Sequence, residues 1–245
     1  MFFAKAGVYE PCGIFTKGHL WLVILNVMGV VISLIKSRHK TKEEVSKLIK
    51  ECTIFVWILE IIMIVYKFST GDPRNLNNYM PLYYCSMLLY GGLLSSFGKG
   101  VFKKIGDVVL ASGTIVGGVV FLILPTTSLP TYPFFHLVSF HSFLYHGIMI
   151  YIGLLISMTN YVKLKFSDIK YYAILVLIMC LVALGLNIIF DCNLMFISKD
   201  FPGTPITILY KLVGRYFTPI MIIGQMTLPY ILIYGIMKIK DSLVK

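Results

Sequence analysis

Charge is scarce in this chain. Only 13% of its 245 residues are Asp, Glu, Lys or Arg, and just 11 are acidic, against about 25% charged in a typical soluble domain. Hydrophobic residues make up 58% and the mean hydropathy is +0.83. One water-soluble core cannot hide that much apolar surface. The scarcity of charge therefore excludes an ordinary cytosolic enzyme, and the apolar content excludes a disordered or collagen-like chain. A polar domain is also lacking. The formal net charge of +11 has no nucleic-acid-binding module to belong to, and its cations flank apolar runs instead. They are read as topology signals and as contacts with anionic lipid.

Cysteine is sparse and odd in number, at positions 12, 52, 85, 180 and 192. At least one thiol is left unpaired, and a Cys12–Cys192 disulfide stays open because sequence alone does not settle pairing. No zinc-like ligand spacing is present. A cleaved leader is not expected, because the first long apolar run begins only around His19, after Pro11 and Cys12. No soluble domain and no internal repeat are visible.

What the chain does have is a series of apolar segments near 18–35, 53–67, 80–97, 107–124, 134–157, 171–190 and 216–237. Each approaches the ~20 residues a spanning helix needs. Strands with unpaired edges cannot sit in lipid. The expected fold is a single all-α polytopic domain of seven transmembrane helices over 1–245. Loops 36–51, 98–106 and 158–170 and the tail after 237 carry 15 of the 22 Lys and Arg. The positive-inside rule then places the carboxyl terminus in the cytoplasm and the amino terminus outside. Tyr and Phe around 79–84 and 132–145 are expected to form an interfacial belt.

Polar groups in a membrane are costly, so each marks a candidate site. His19 and Asn26 share a face of the first helix. Glu60 lies mid-way along the second. Cys85 opens the third, with Pro81 in its first turn and Gly92 and Ser96 continuing its face. His136, His141 and His146 lie on the fifth, and Asn187, Asp191 and Asn193 close the sixth. Consecutive histidines five residues apart sit ~140° apart around a helix, so one helix cannot bring the three to one ion, and no metal is expected. Cys85 and His146 form a chemically coherent pair, since a thiolate is the nucleophile and an imidazole takes its proton. Their expected depths differ, which leaves His141 as an alternative partner. His19, Asn187 and Glu60 are supporting candidates, each with a plain structural reading beside it.

Several motifs stand in a recognisable order: Thr16-Lys17-Gly18-His19-Leu20, Glu60, Thr70-Gly71-Asp72, Met80-Pro81-Leu82-Tyr83-Tyr84-Cys85, Phe143-Leu144-Tyr145-His146-Gly147, Asn187, Asn193-Leu194-Met195-Phe196, Lys199 and Pro202. In this order they resemble the YwaF family of bacterial integral membrane proteins, over residues ~15–235. That family is distantly similar to eukaryotic transmembrane lipid acyltransferases that use a membrane cysteine and histidine. The resemblance implies a bacterial plasma-membrane protein, with membrane lipid as acyl donor and acceptor and no cofactor. It implies Cys85 as acyl acceptor and His146 as its base. Two positions depart from the pattern: Ser86 stands where the family commonly has Asp, and His141 where it often has Gln. The competing expectation is a non-enzymatic transporter or cell-envelope assembly factor with a polar pocket. Pro219, Gln225 and Pro229 would break its last helix.

Overall fold

The structure, a computed structural model, describes residues 1–243. Its helices are α1 (Lys17–Ser37), α2 (Lys42–Thr70), α3 (Met87–Phe97), α4 (Gly100–Ile123), α5 (Leu137–Met158), α6 (Ile169–Phe190), α7 (Pro205–Val213) and α8 (Phe217–Leu243). No strand occurs among the described residues. Five helical stretches are long and apolar enough to cross a membrane: Lys17–Ser37, Gly100–Ile123, Leu137–Met158, Phe166–Phe190 and Pro205–Lys240. The two remaining apolar segments are α2, which carries Glu60 and Lys67, and α3, which is only 11 residues long.

Three boundaries differ from the sequence expectation, each for a local reason. Residues 36–51 were expected as a loop, but most of them belong to α2. The Thr41 hydroxyl accepts from the Glu44 N–H at 3.3 Å, and the Glu44 carboxylate accepts from the Thr41 N–H at 2.8 Å. This capping box starts the helix early. The Thr41 bond and the Lys40 ammonium hold the Glu44 carboxyl below the usual carboxylate range. Thr204 and Pro205 start α7 inside the expected loop 191–215, as a capping hydroxyl and a proline at the first helical position do. Pro81 lies ahead of the third helix rather than in its first turn. Tyr83 is extended, Tyr84–Ser86 form a 3-10 turn, and regular α3 begins at Met87. Pro229, by contrast, lies inside α8 without ending it.

The bundle is organised around α4. Its apolar stretch is 78% buried, against 22% for α1 and 11% for the Pro205–Lys240 stretch. It packs against α3, α5, α6 and α8, while α1 lies on α5 and α2 on α3 and α5. Small residues make this centrality possible, because they let neighbouring backbones come close. The Ser112 and Thr114 hydroxyls are buried and donate to the Val108 and Leu110 carbonyls one turn back, both at 2.7 Å. Their polarity is thereby satisfied without a neighbouring helix. Outward faces such as Ile188 and Ile189 of α6 remain more than 70% exposed, as surfaces that meet lipid do.

At the α3–α4 crossing, a Cβ at Gly106 would run into the α3 backbone at Ser95 and Gly91. Gly106→Ala is expected to lower the melting temperature of the purified protein, since overpacking of this kind costs about 1–3 kcal/mol. An unchanged melting temperature would mean that α3 and α4 do not approach this closely.

Candidate functional site

Two adjacent glycines of α4 set the geometry of the site. A Cβ at Gly117 would lie 3.2 Å from the Tyr84 ring, and one at Gly118 would lie 2.9 Å from the His146 carbonyl. The chain carrying Cys85 and the turn of α5 carrying His146 are thus seated at neighbouring levels of one helix. This lessens the depth difference expected between the two residues. Residues 79–83 enter the bundle as irregular, partly extended chain, which advances about 3.3 Å per residue instead of 1.5 Å. In addition, α5 begins at Leu137, later than expected.

Cys85 is half-buried in the 3-10 turn. Its carbonyl accepts from the buried Tyr145 hydroxyl at 3.2 Å, which ties the turn to α5. Glu60 and Lys67, seven residues apart on α2, share a face. The His141 Nε2 is 3.6 Å from the Glu60 carboxylate and makes no hydrogen bond. Cys85, Tyr145, His141 and Glu60 are therefore linked in a row where the turn, α5 and α2 meet, with Lys67 two turns along α2 from Glu60.

His146 is buried on the other side of Tyr145, whose ring centroid is 5.4 Å away. It stacks on Phe121 of α4 at 3.7 Å with an interplanar angle of 8°. Its Nδ1 lies 2.7 Å from the Ser142 carbonyl. A carbonyl only accepts, so Nδ1 carries the proton and Nε2 keeps its lone pair. Among the described residues neither His141 nor His146 is hydrogen-bonded to the Cys85 sulfur.

The other candidates sit apart from this cluster, with their polar groups in structural use. His19 bridges α1 to the end of α4: its Nε2 donates to the Leu122 carbonyl at 2.9 Å and its Nδ1 accepts from the Phe15 N–H at 3.1 Å. Asn26, on the same face, donates to the Phe143 carbonyl while its Oδ1 is buried without a partner. His136 caps α5, with Nδ1 accepting from the Val138 N–H at 3.1 Å and Nε2 facing the Ala4 carbonyl at 2.9 Å. Asn187 anchors the chain after α6, donating to the Leu194 carbonyl at 3.1 Å and accepting from the Leu194 N–H at 2.7 Å.

That anchored segment packs on the chain that leads into the Cys85 turn. Met195 and Phe196 both adopt left-handed φ, 56° and 54°, a costly conformation for bulky residues. They are held in it from several sides. The Met195 N–H donates to the Leu82 carbonyl at 3.1 Å, Gln225 of α8 donates to the Met195 carbonyl at 2.9 Å, and the Phe196 ring lies 5.0 Å from Tyr83.

All five cysteines are free. Cys12 lies beside Thr16 and Cys192 beside Asn187. Among the described residues no group of three or more His, Cys, Asp or Glu side chains is placed to hold a metal. The Tyr83, Tyr84 and Tyr145 hydroxyls reach Asn77, Tyr172 and Cys85, because a phenol buried at one end needs a partner at the other. Sequence reasoning did not place Lys67 or Tyr145 in the site. The usable signal for Lys67 was its i+7 spacing from Glu60.

Helices of this length and hydropathy, closed around an interior polar cluster, define a multi-pass membrane protein. The chain belongs to the TMEM164 family, whose family model matches residues 14–237. No curated protein and no solved structure matches it.

Proposed function

We propose that this protein is a membrane enzyme that moves acyl groups between lipids through a thioester on Cys85, with His146 as the base. The observation that carries this reading is the grouping of Tyr145, His141 and Glu60 beside the Cys85 turn, with His146 against the same Tyr145, at membrane depth, where unused polar groups are costly. α2 and α3 complete a seven-segment bundle, with the amino terminus outside a bacterial plasma membrane, and the site opens toward the outer leaflet.

In the first half-reaction the His146 Nε2 lone pair takes the thiol proton as the sulfur attacks an acyl-ester carbonyl carbon. The carbonyl electron pair moves onto oxygen, and the Lys67 ammonium faces the resulting oxyanion. Collapse breaks the C–O bond, and the departing lysolipid oxygen takes the proton back from His146. Cys85 then holds the acyl group as a thioester. In the second half-reaction an alcohol of another lipid gives its proton to His146 and attacks the thioester carbonyl. Collapse expels the sulfur, which recovers the proton. Water in place of the alcohol releases a fatty acid. Glu60, two turns along α2 on the same face, offsets the charge of Lys67.

The test is capture of the intermediate. Purified protein incubated with a phospholipid labelled in its acyl chain is expected to acquire label on the peptide containing Cys85, and neutral hydroxylamine is expected to release it as a thioester. Lys67→Gln is expected to slow the labelling by about 10²-fold. Absence of any hydroxylamine-labile label across acyl-ester donors would overturn the proposal.

A further inference from the structure

The end of the bundle far from Cys85 in the chain's topology carries a second feature. A cleft of about 170 Å³ opens between the α5–α6 connection and the end of α8. Lys163, Lys165, Lys238 and Lys240 line it, with Leu164 and Tyr234 among its less polar walls. All four lysines are exposed. Among the described residues, none of them forms an ion pair and no acidic side chain lines the cleft. The nearest carboxylate in this connection, Asp168, is occupied: it accepts from Lys104 at 3.1 Å and from the Lys165 N–H at 3.0 Å. The Lys238 ammonium lies 5.8 Å from the Tyr234 ring, leaning over the cleft wall.

A second cleft, on α2, shows what an internally neutralised surface looks like here. Its charged lining is Lys40, Lys47, Glu44 and Glu51, and the Lys40–Glu44 and Lys47–Glu51 pairs are 3.4 and 3.9 Å apart. That cleft is balanced within the protein. Among the described residues the four-lysine cleft is not, and gathering like charges around a concave space is unfavourable unless an anion occupies it.

We propose that this cleft binds the phosphate headgroup of an anionic membrane phospholipid. Beside Lys238 and Lys240, α8 exposes Ile236 and Ile239, 54% and 64% accessible. A headgroup seated among the ammonium groups would leave its acyl chains lying along this apolar face. Continuity of cationic pocket and lipid-facing helix favours a lipid over a soluble phosphate, and basic pockets between helix ends recognise such headgroups. The site is independent of Cys85 and would operate whether or not the protein transfers acyl groups.

The test uses the full-length protein in neutral detergent, titrated with dioctanoyl phosphatidylglycerol, dioctanoyl phosphatidylcholine or glycerol phosphate and read by native mass spectrometry. Phosphatidylglycerol is expected to bind in preference to phosphatidylcholine. The Lys163→Gln/Lys238→Gln double variant is expected to weaken that binding about tenfold. A Lys40→Gln/Lys47→Gln variant removes the same net charge and is expected to leave it unchanged. Equal binding of the two lipids would overturn the proposal, as would equal losses in the two double variants. Glycerol phosphate binding as tightly as the lipid would also overturn it, by assigning the cleft to a soluble anion.

Discussion

Cys85→Ala is expected to abolish both acyl labelling and transfer of the acyl group to a second lipid. The sulfur is the atom that bonds to the acyl carbon in the proposed cycle, and no neighbouring group replaces it. Tyr145 uses its hydroxyl on the Cys85 carbonyl, and Ser86 bonds back to the Tyr83 N–H at 3.2 Å. Cys85→Ser is expected to be nearly as inactive, because an alcohol is ionised far less readily than a thiol and is not activated by the same base strength. Both substitutions are small and leave the main-chain bond to Tyr145 intact, so the melting temperature is expected to stay close to that of the parent. Transfer activity in folded Cys85→Ala would end the nucleophile assignment. Full biological activity in both the Cys85 and His146 variants would favour a non-enzymatic pocket protein.

His146→Ala is expected to lower the acylation rate by about 10²- to 10⁴-fold, the range that general bases supply. The argument rests on its tautomer. The Ser142 carbonyl holds the proton on Nδ1, and the Phe121 stack fixes the ring plane. Nε2 is therefore the nitrogen available to take a proton. His141→Ala is expected to cost less, since no backbone acceptor holds His141 in one tautomer. The comparison is made on single-turnover acylation rates, with Michaelis constants measured alongside to separate chemistry from lipid binding. If His141→Ala abolished acylation and His146→Ala left it intact, the base would be reassigned to His141. His146→Gln, which keeps a polar group of similar size, guards against loss of folding through the emptied stack.

Class and broad arrangement were legible from composition and apolar runs, because lipid imposes one length and one secondary structure on any segment that crosses it. The α2 start was also legible, in the Thr41-to-Glu44 spacing, and was passed over because the surrounding charges looked like a loop. The roles of His19 and Asn187 were not legible. Each has a residue type suited to catalysis, and only three-dimensional contacts show their polar atoms in use on Leu122, Phe15, Leu194 and Ser198. The arrangement around Cys85 was half legible. The polar residues could be enumerated, but which of them face one another depends on where helices start and how they cross. A late start to α5 and an irregular run at 79–83 changed that relation.

The amino-acid sequence by itself determined that this chain is a helical membrane protein with a few polar side chains placed at a cost inside it, since hydropathy is a sum over residues and needs no partner. Only the tertiary structure decided which of those side chains became neighbours. The glycines at 117 and 118 of α4 seat the Cys85 turn and the His146 turn next to each other. The face of α2 sets Glu60 against His141. Proximity across helices arises from close packing of surfaces far apart in the chain, and no local pattern encodes it.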